Sequence, residues 1–210
     1  MKRREFTLAL GTVSLLARTA RAADKPVEGK DYTLVKSPVP VPAGGKIEVV
    51  EFFGYWCPHC NAFEPLLEAW AAKLPPDVDL RRVPVGWQAM HVPYQRLYYA
   101  LEAMGQVPAI QRKVFHAIHE QDLRIVGDDD IAPFAAAIGV DAAKLAAAMK
   151  SAAVAAKVKT ANQLFKDYGV EGVPTLVIGG RYLTTPGKAG SQERVLQITD
   201  ALIAEVRASR

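Results

Sequence analysis

Ile47, Val49, Val50, Phe52 and Phe53 form an apolar run interrupted only by Glu48 and Glu51. Such a run, entered through Gly44-Gly45 and left through Gly54, predicts a central strand buried on both faces. Beyond Cys57 the rhythm changes, because Phe63, Leu66, Leu67 and Trp70 recur at helical spacing. The chain therefore passes from strand to helix at Cys57. Leu80, Val83 and Val85 predict a second strand over residues 79–85, and residues 32–35 a short edge strand before the proline-rich turn 37–42. From Pro93 to Tyr168 the apolar positions keep a helical period, punctuated by Gly105, Gly127 and Gly139. After Gly169 the pattern reverts to strands. Residues 175–178, the Gly179-Gly180 turn and residues 181–183 predict a hairpin, and Val195, Ile198, Leu202 and Val206 a closing amphipathic helix.

The order is β-α-β, a helical insert over about residues 93–168, then β-β-α. This is an α/β chain with a thioredoxin-like fold, its two halves separated by an inserted helical subdomain. With 210 residues, half of them hydrophobic, the chain can bury a core as one unit over residues 23–210.

The first 22 residues read as a removable export signal. Lys2, Arg3 and Arg4 precede an apolar stretch from Phe6 to Ala17, and Ala20-Arg21-Ala22 offers a cleavage site. The stretch falls short of the ~20 apolar residues of a spanning helix. Arg3-Arg4 leaves the general and twin-arginine export routes both open. This leader holds five basic side chains and one acid, which accounts for the whole +4 charge of the chain. The remainder is neutral, so the basic pI supports neither nucleic-acid nor acidic-lipid binding.

Only two cysteines occur, Cys57 and Cys60, in a chain addressed to an oxidising compartment. A bridge across so short a loop removes little unfolded-state entropy and is a poor stabiliser. Its chemistry is the better reason for it. A Cys-x-x-Cys at a helix start places both sulfurs on one face, and the first meets the unpaired N–H groups and the positive end of the helix dipole. Cys57 is thus the expected nucleophile. Pro58 suits the first turn, where its missing N–H costs nothing. His59 adds a cationic or donor group that depresses the Cys57 thiol further, favouring the dithiol state and a strongly oxidising disulfide. A zinc site lacks its second pair of ligands, since His91, His116 and His119 lie far off without finger spacing. Downstream, Gly172-Val173-Pro174-Thr175 sets a proline immediately before a strand. A cis bond there would turn the strand edge toward Cys57 and free the Val173 backbone to pair with an extended substrate.

In this order Glu51-Phe52-Phe53-Gly54-Tyr55-Trp56-Cys57-Pro58-His59-Cys60, Phe63-Glu64, Gly172-Val173-Pro174 and Gly179-Gly180-Arg181-Tyr182 resemble the pattern of the bacterial DsbA family of disulfide oxidases. The similarity runs from about Tyr32 to Val206. It implies a periplasmic, monomeric oxidoreductase that needs no cofactor beyond its cysteine pair. Cys57 would form the mixed disulfide with unfolded exported proteins and Cys60, buried, would resolve it. A quinone-linked membrane oxidase of the DsbB type would re-oxidise the pair. Glu51 and Glu64 match the family's buried acids near the resolving cysteine, although a strand-edge carboxylate and a solvated helix charge are the plainer readings. Arg82 falls where members of the family can carry a lysine, and the sequence assigns it no role.

Phe53, Tyr55 and Trp56 could offer an apolar rim to substrates, Trp56 being the best placed for exposure, while core positions are the commoner fate of such aromatics. Asp128-Asp129-Asp130 reads as a helix start. His116 and His119 share a helix face, for which exposure is expected. Two other functions compete. A disulfide isomerase or reductase of the same fold typically adds an N-terminal dimerisation domain, for which about 10 residues before Tyr32 leave no room. A chaperone-like binder of unfolded chains would not need its cysteines.

Overall fold

The computed structural model describes residues 25–36 and 45–210, so the expected leader and the turn at 37–42 lie outside the described residues. The strands are β1 (Thr33–Leu34), β2 (Ile47–Phe53), β3 (Val78–Pro84), β4 (Thr175–Ile178) and β5 (Tyr182–Thr184). They form one sheet in the order β1-β5-β4-β2-β3, in which only β2 and β3 run parallel. Helix α1 (Pro58–Ala71) makes the crossover between β2 and β3. Between β3 and β4 stand α2 (Val92–Ala103), α3 (Val107–His119), α4 (Ile131–Ile138), α5 (Ala142–Lys150) and α6 (Ala152–Asp167). A short α7 (Pro186–Ala189) and a long α8 (Gln192–Ala208) follow the hairpin. The fold is the expected thioredoxin-like one, with helices inserted between its halves.

Strand β2 sits in the middle because it has apolar side chains to give to both faces. Ile47 and Val49 join Phe63 and Leu67 of α1 and Val195, Ile198 and Leu202 of α8 on one side. Val50 and Phe52 join Leu97, Leu101, Val114, Phe134 and Leu145 of the insert on the other. Burying each such side chain contributes about 1.5–3 kcal/mol, so the insert is packed onto the sheet and not merely tethered to it. Some ends differ from the sequence expectation. Strand β1 is reduced to two residues, and the break between α5 and α6 falls at Ser151, which caps α6 by accepting from Val154 N at 3.2 Å. The aspartate run forms a 3₁₀ turn ahead of α4, where Asp130 accepts from the backbone N–H groups of Val126 and Gly127. Among the described residues, no helix is long and apolar enough to cross a membrane.

Candidate active site

Cys57 is the extended residue that precedes α1, and Pro58 and Cys60 lie in the first turn. The approach is a tight turn, closed by a Cys57 N–H bond to the Gly54 carbonyl at 3.0 Å. A Cβ at Gly54 would stand 2.6 Å from the Trp56 indole, so any larger residue there would have to push the indole aside. The indole folds back over that gap and donates to the Val85 carbonyl at 3.4 Å. Trp56 is half-buried. It stacks on His91 with ring centres 4.0 Å apart and planes 8° from parallel, and meets Trp87 edge-on at 5.8 Å. Phe53 and Tyr55, in contrast, are core residues, 0% and 1% exposed, so only Trp56 of the three aromatics can offer a rim.

Both cysteines are buried free thiols, and their environments drive them apart. The Cys57 thiol is lowered to about 6, chiefly because the Cys60 thiol donates to it, with the N–H groups of Cys60 and His59 and the nearby His59 ring adding to the effect against the opposing cost of burial. Burial pushes the Cys60 thiol well up, and the Cys57 sulfur and Glu51 push it further. The sequence expectation had His59 add to the effect of the helix start, and it does. Its ring is exposed, and its charge contributes least to the acidity of Cys57, so the helix-start N–H groups and the second thiol act more strongly. With its thiol lowered to about 6, Cys57 is mostly thiolate at neutral pH. Titration of the reduced protein at 240 nm should therefore show one thiolate forming near pH 6 and no second one below pH 9. A single midpoint in the ordinary cysteine range would contradict this reading.

The Val173–Pro174 bond is cis, and Pro174 is buried at the head of β4. The Val173 carbonyl oxygen lies 3.5 Å from the Cys57 sulfur, which brings the two ends of the sequence pattern together.

Behind the cysteines lies a charged cluster. Glu51 and Arg82 are register partners on β2 and β3, and Arg82 Nε donates to Glu51 Oε2 at 3.1 Å. Arg82 Nη2 reaches across to Glu64 Oε1 on α1 at 2.6 Å. Both acids are buried, 1% and 2% exposed, so the solvated reading of Glu64 does not hold. Two carboxylates share one guanidinium, and burial raises both in spite of Arg82, Glu64 to about 8. Near neutral pH the cluster thus retains a proton. Gln111 of α3 completes it, donating weakly to Glu64 at 3.5 Å and accepting from the Tyr55 hydroxyl at 2.5 Å. Sequence reasoning assigned no role to Arg82 or Gln111, and met Tyr55 only as a candidate for the apolar rim. The one available signal was in-register opposition of an acid and a base on neighbouring strands.

The DSBA-like thioredoxin domain profile matches residues 83–197 and the thioredoxin profile residues 41–93. The thiol:disulfide interchange protein DsbA of Burkholderia cepacia is 40% identical over 95% of this chain and 94% of its own length. Its counterpart in Pseudomonas aeruginosa is 39% identical over 97% and 96%. Of solved structures, Pseudomonas aeruginosa DsbA superposes with a TM-score of 0.83 at 39% identity, covering 88% of this chain and 96% of that one. Xylella fastidiosa DsbA gives 0.79 at 35% identity, covering 87% and 98%. With an acidified thiol, a buried partner thiol and a proline loop at the place where these relatives match, the chain belongs to the DsbA family of thiol–disulfide oxidoreductases.

Proposed function

We propose that this protein donates the Cys57–Cys60 disulfide to newly exported, still unfolded proteins in the periplasm. The observation that carries the reading is the opposition of the two thiols, Cys57 acidified to about 6 and Cys60 pushed well up. A client thiolate attacks the Cys57 sulfur, and Cys60 leaves as a thiolate that takes up a proton in its buried site. A second client thiolate then attacks the client sulfur of the mixed disulfide and expels Cys57 as its stable thiolate. The client loses two electrons and the pair gains them. No further group is needed for this exchange, since every bond made or broken is between sulfurs. Each tenfold gain in the acidity of Cys57 favours the dithiol by about 1.4 kcal/mol, or about 30 mV for two electrons, which sets the direction of transfer.

Within this reading Pro58 stiffens the first turn, His59 assists the thiolate, and the Val173 backbone, Pro174 and Trp56 receive the client chain around Cys57. Glu51 and Glu64 keep a proton near Cys60. A quinone-linked membrane oxidase of the DsbB type restores the disulfide. The leader at residues 1–22 directs export.

Equilibration with glutathione buffers tests the proposal. A potential less negative than about −180 mV, with net oxidation of a reduced two-cysteine peptide, is the expected result; a value near the reducing −270 mV of thioredoxin would overturn it. A thermodynamic corollary follows. The Cys57 thiol is depressed in the folded state, so its contribution to stability is complete above the ordinary thiol range and is lost as pH falls through about 6. Urea midpoints should therefore show the reduced protein more stable than the oxidised one at pH 8, with the gap closing towards pH 5. A more stable oxidised form at pH 8 would contradict the thiolate account.

A further inference from the structure

Tyr55, two residues before the nucleophile, is gripped from one stripe of α3. Gln111 accepts from its hydroxyl at 2.5 Å, Phe115 packs edge-on against its ring at 5.1 Å, and His119 Nε2 meets its carbonyl oxygen at 2.8 Å. Residues four apart on a helix lie on one face, so a single straight edge of the insert holds the phenol, the ring and the backbone of one residue. The ends of the stripe have other attachments: Gln111 touches Glu64, and His119 stacks on Phe115 with ring centres 6.1 Å apart. His119 is half-buried, against the exposure expected from sequence, whereas its helix neighbour His116 is exposed.

A carbonyl can only accept, so His119 must donate, and its proton belongs on Nε2. The donated bond fixes the peptide plane between Tyr55 and Trp56. That plane sets where the Gly54–Cys57 turn delivers the Cys57 sulfur relative to the N–H groups of Cys60 and His59. The other two contacts leave the backbone free to rotate. Only His119 reaches it.

We propose that His119 is a positioning residue for Cys57, and that the inserted helices, through the Gln111–Phe115–His119 stripe, hold the active-site turn in its reactive shape. The inference rests on the reading of Cys57 as the nucleophile.

His119→Phe keeps an aromatic ring beside Phe115 and removes the donor, while His119→Gln keeps an amide N–H able to reach the same carbonyl. In His119→Phe the 240 nm midpoint of Cys57 should rise by several tenths of a pH unit or more, and kcat for peptide oxidation should fall several-fold with KM little changed. His119→Gln should recover most of both. A His119→Phe protein with an unaltered midpoint and kcat overturns the proposal, as does a His119→Gln protein as impaired as His119→Phe. The unaltered protein supplies a check free of any folding defect. Its imidazole ¹⁵N shifts should report the Nε2–H tautomer of His119, and an Nδ1–H tautomer would also overturn the proposal. These failures leave the donor function standing, which falls only if native Cys57 itself titrates as an ordinary thiol.

Discussion

Replacing Cys60 by alanine should bring catalytic peptide oxidation to background and leave Cys57 locked in mixed disulfides with clients or glutathione. Two separate losses combine. The internal disulfide can no longer form, so each protein carries at most one exchange and no leaving thiolate is available from the pair. Cys57 also loses the thiol donor that is the first cause of its acidity, and its midpoint should climb from about 6 towards the ordinary cysteine range. Non-reducing mass spectrometry reads the first effect and 240 nm absorbance the second. Persistent turnover would place the second redox sulfur elsewhere, and a midpoint still near 6 would transfer the acidity to the helix-start N–H groups alone.

Arg82→Met should be the most damaging change to stability outside the apolar core. It removes the single cation between two buried acids, and stranding a buried charge in this way costs about 3–5 kcal/mol. The loss should be greatest at neutral to alkaline pH and partly recovered on acidification, when both carboxyls bind protons. The sign follows from Glu64. Its folded value is raised to about 8, so from the ordinary carboxylate range up to there the folded protein holds more protons than the unfolded chain. Its stabilising contribution is therefore complete at acid pH and is lost as pH rises through about 8. The slope approaches about 1.4 kcal/mol per pH unit for one full proton of difference. Urea midpoints across pH 5–9 should display that fall in the unaltered protein and a flatter profile in Glu64→Gln. An Arg82→Met protein as stable as the parent at pH 8 would remove the guanidinium from the account.

Elements whose signal lies within a few consecutive residues could be read from sequence. Strand β2 announced itself by an apolar run, the β4–β5 hairpin by paired glycines, α1 by the Cys-Pro-His-Cys start. The cis state of Val173–Pro174 could only be named as one alternative, since nothing in the adjoining residues decides it. What escaped was decided across long separations. Glu64 looks like a solvated helix charge until α3 packs over α1, some fifty residues later, and seals it against Gln111. His119 ends an amphipathic helix and acquires its partner only when that end meets the Tyr55 turn. Ser151 gave no sign of a helix break because Met149, Lys150, Ala152 and Ala153 on either side of it all favour helix. The weight of His59 relative to its neighbours was likewise out of reach of the sequence. Sequence adjacency suggested a charge effect, whereas direction of the second thiol and the N–H groups, a property of the folded turn, weighs more.

The in-register placement of Glu51 opposite Arg82 also acts on the folding chain. A parallel pairing of β2 with β3 slipped by one residue would turn one partner to the opposite face of the sheet. Glu51 would then enter the interior without a cation, at about the 3–5 kcal/mol that such an orphaned charge costs. The apolar residues alone discriminate weakly, since β2 is buried on both faces and a slipped strand would still find greasy surroundings. The ion pair supplies the missing penalty. Closing the central sheet in register therefore also places Glu51 beside Arg82, behind the sulfurs.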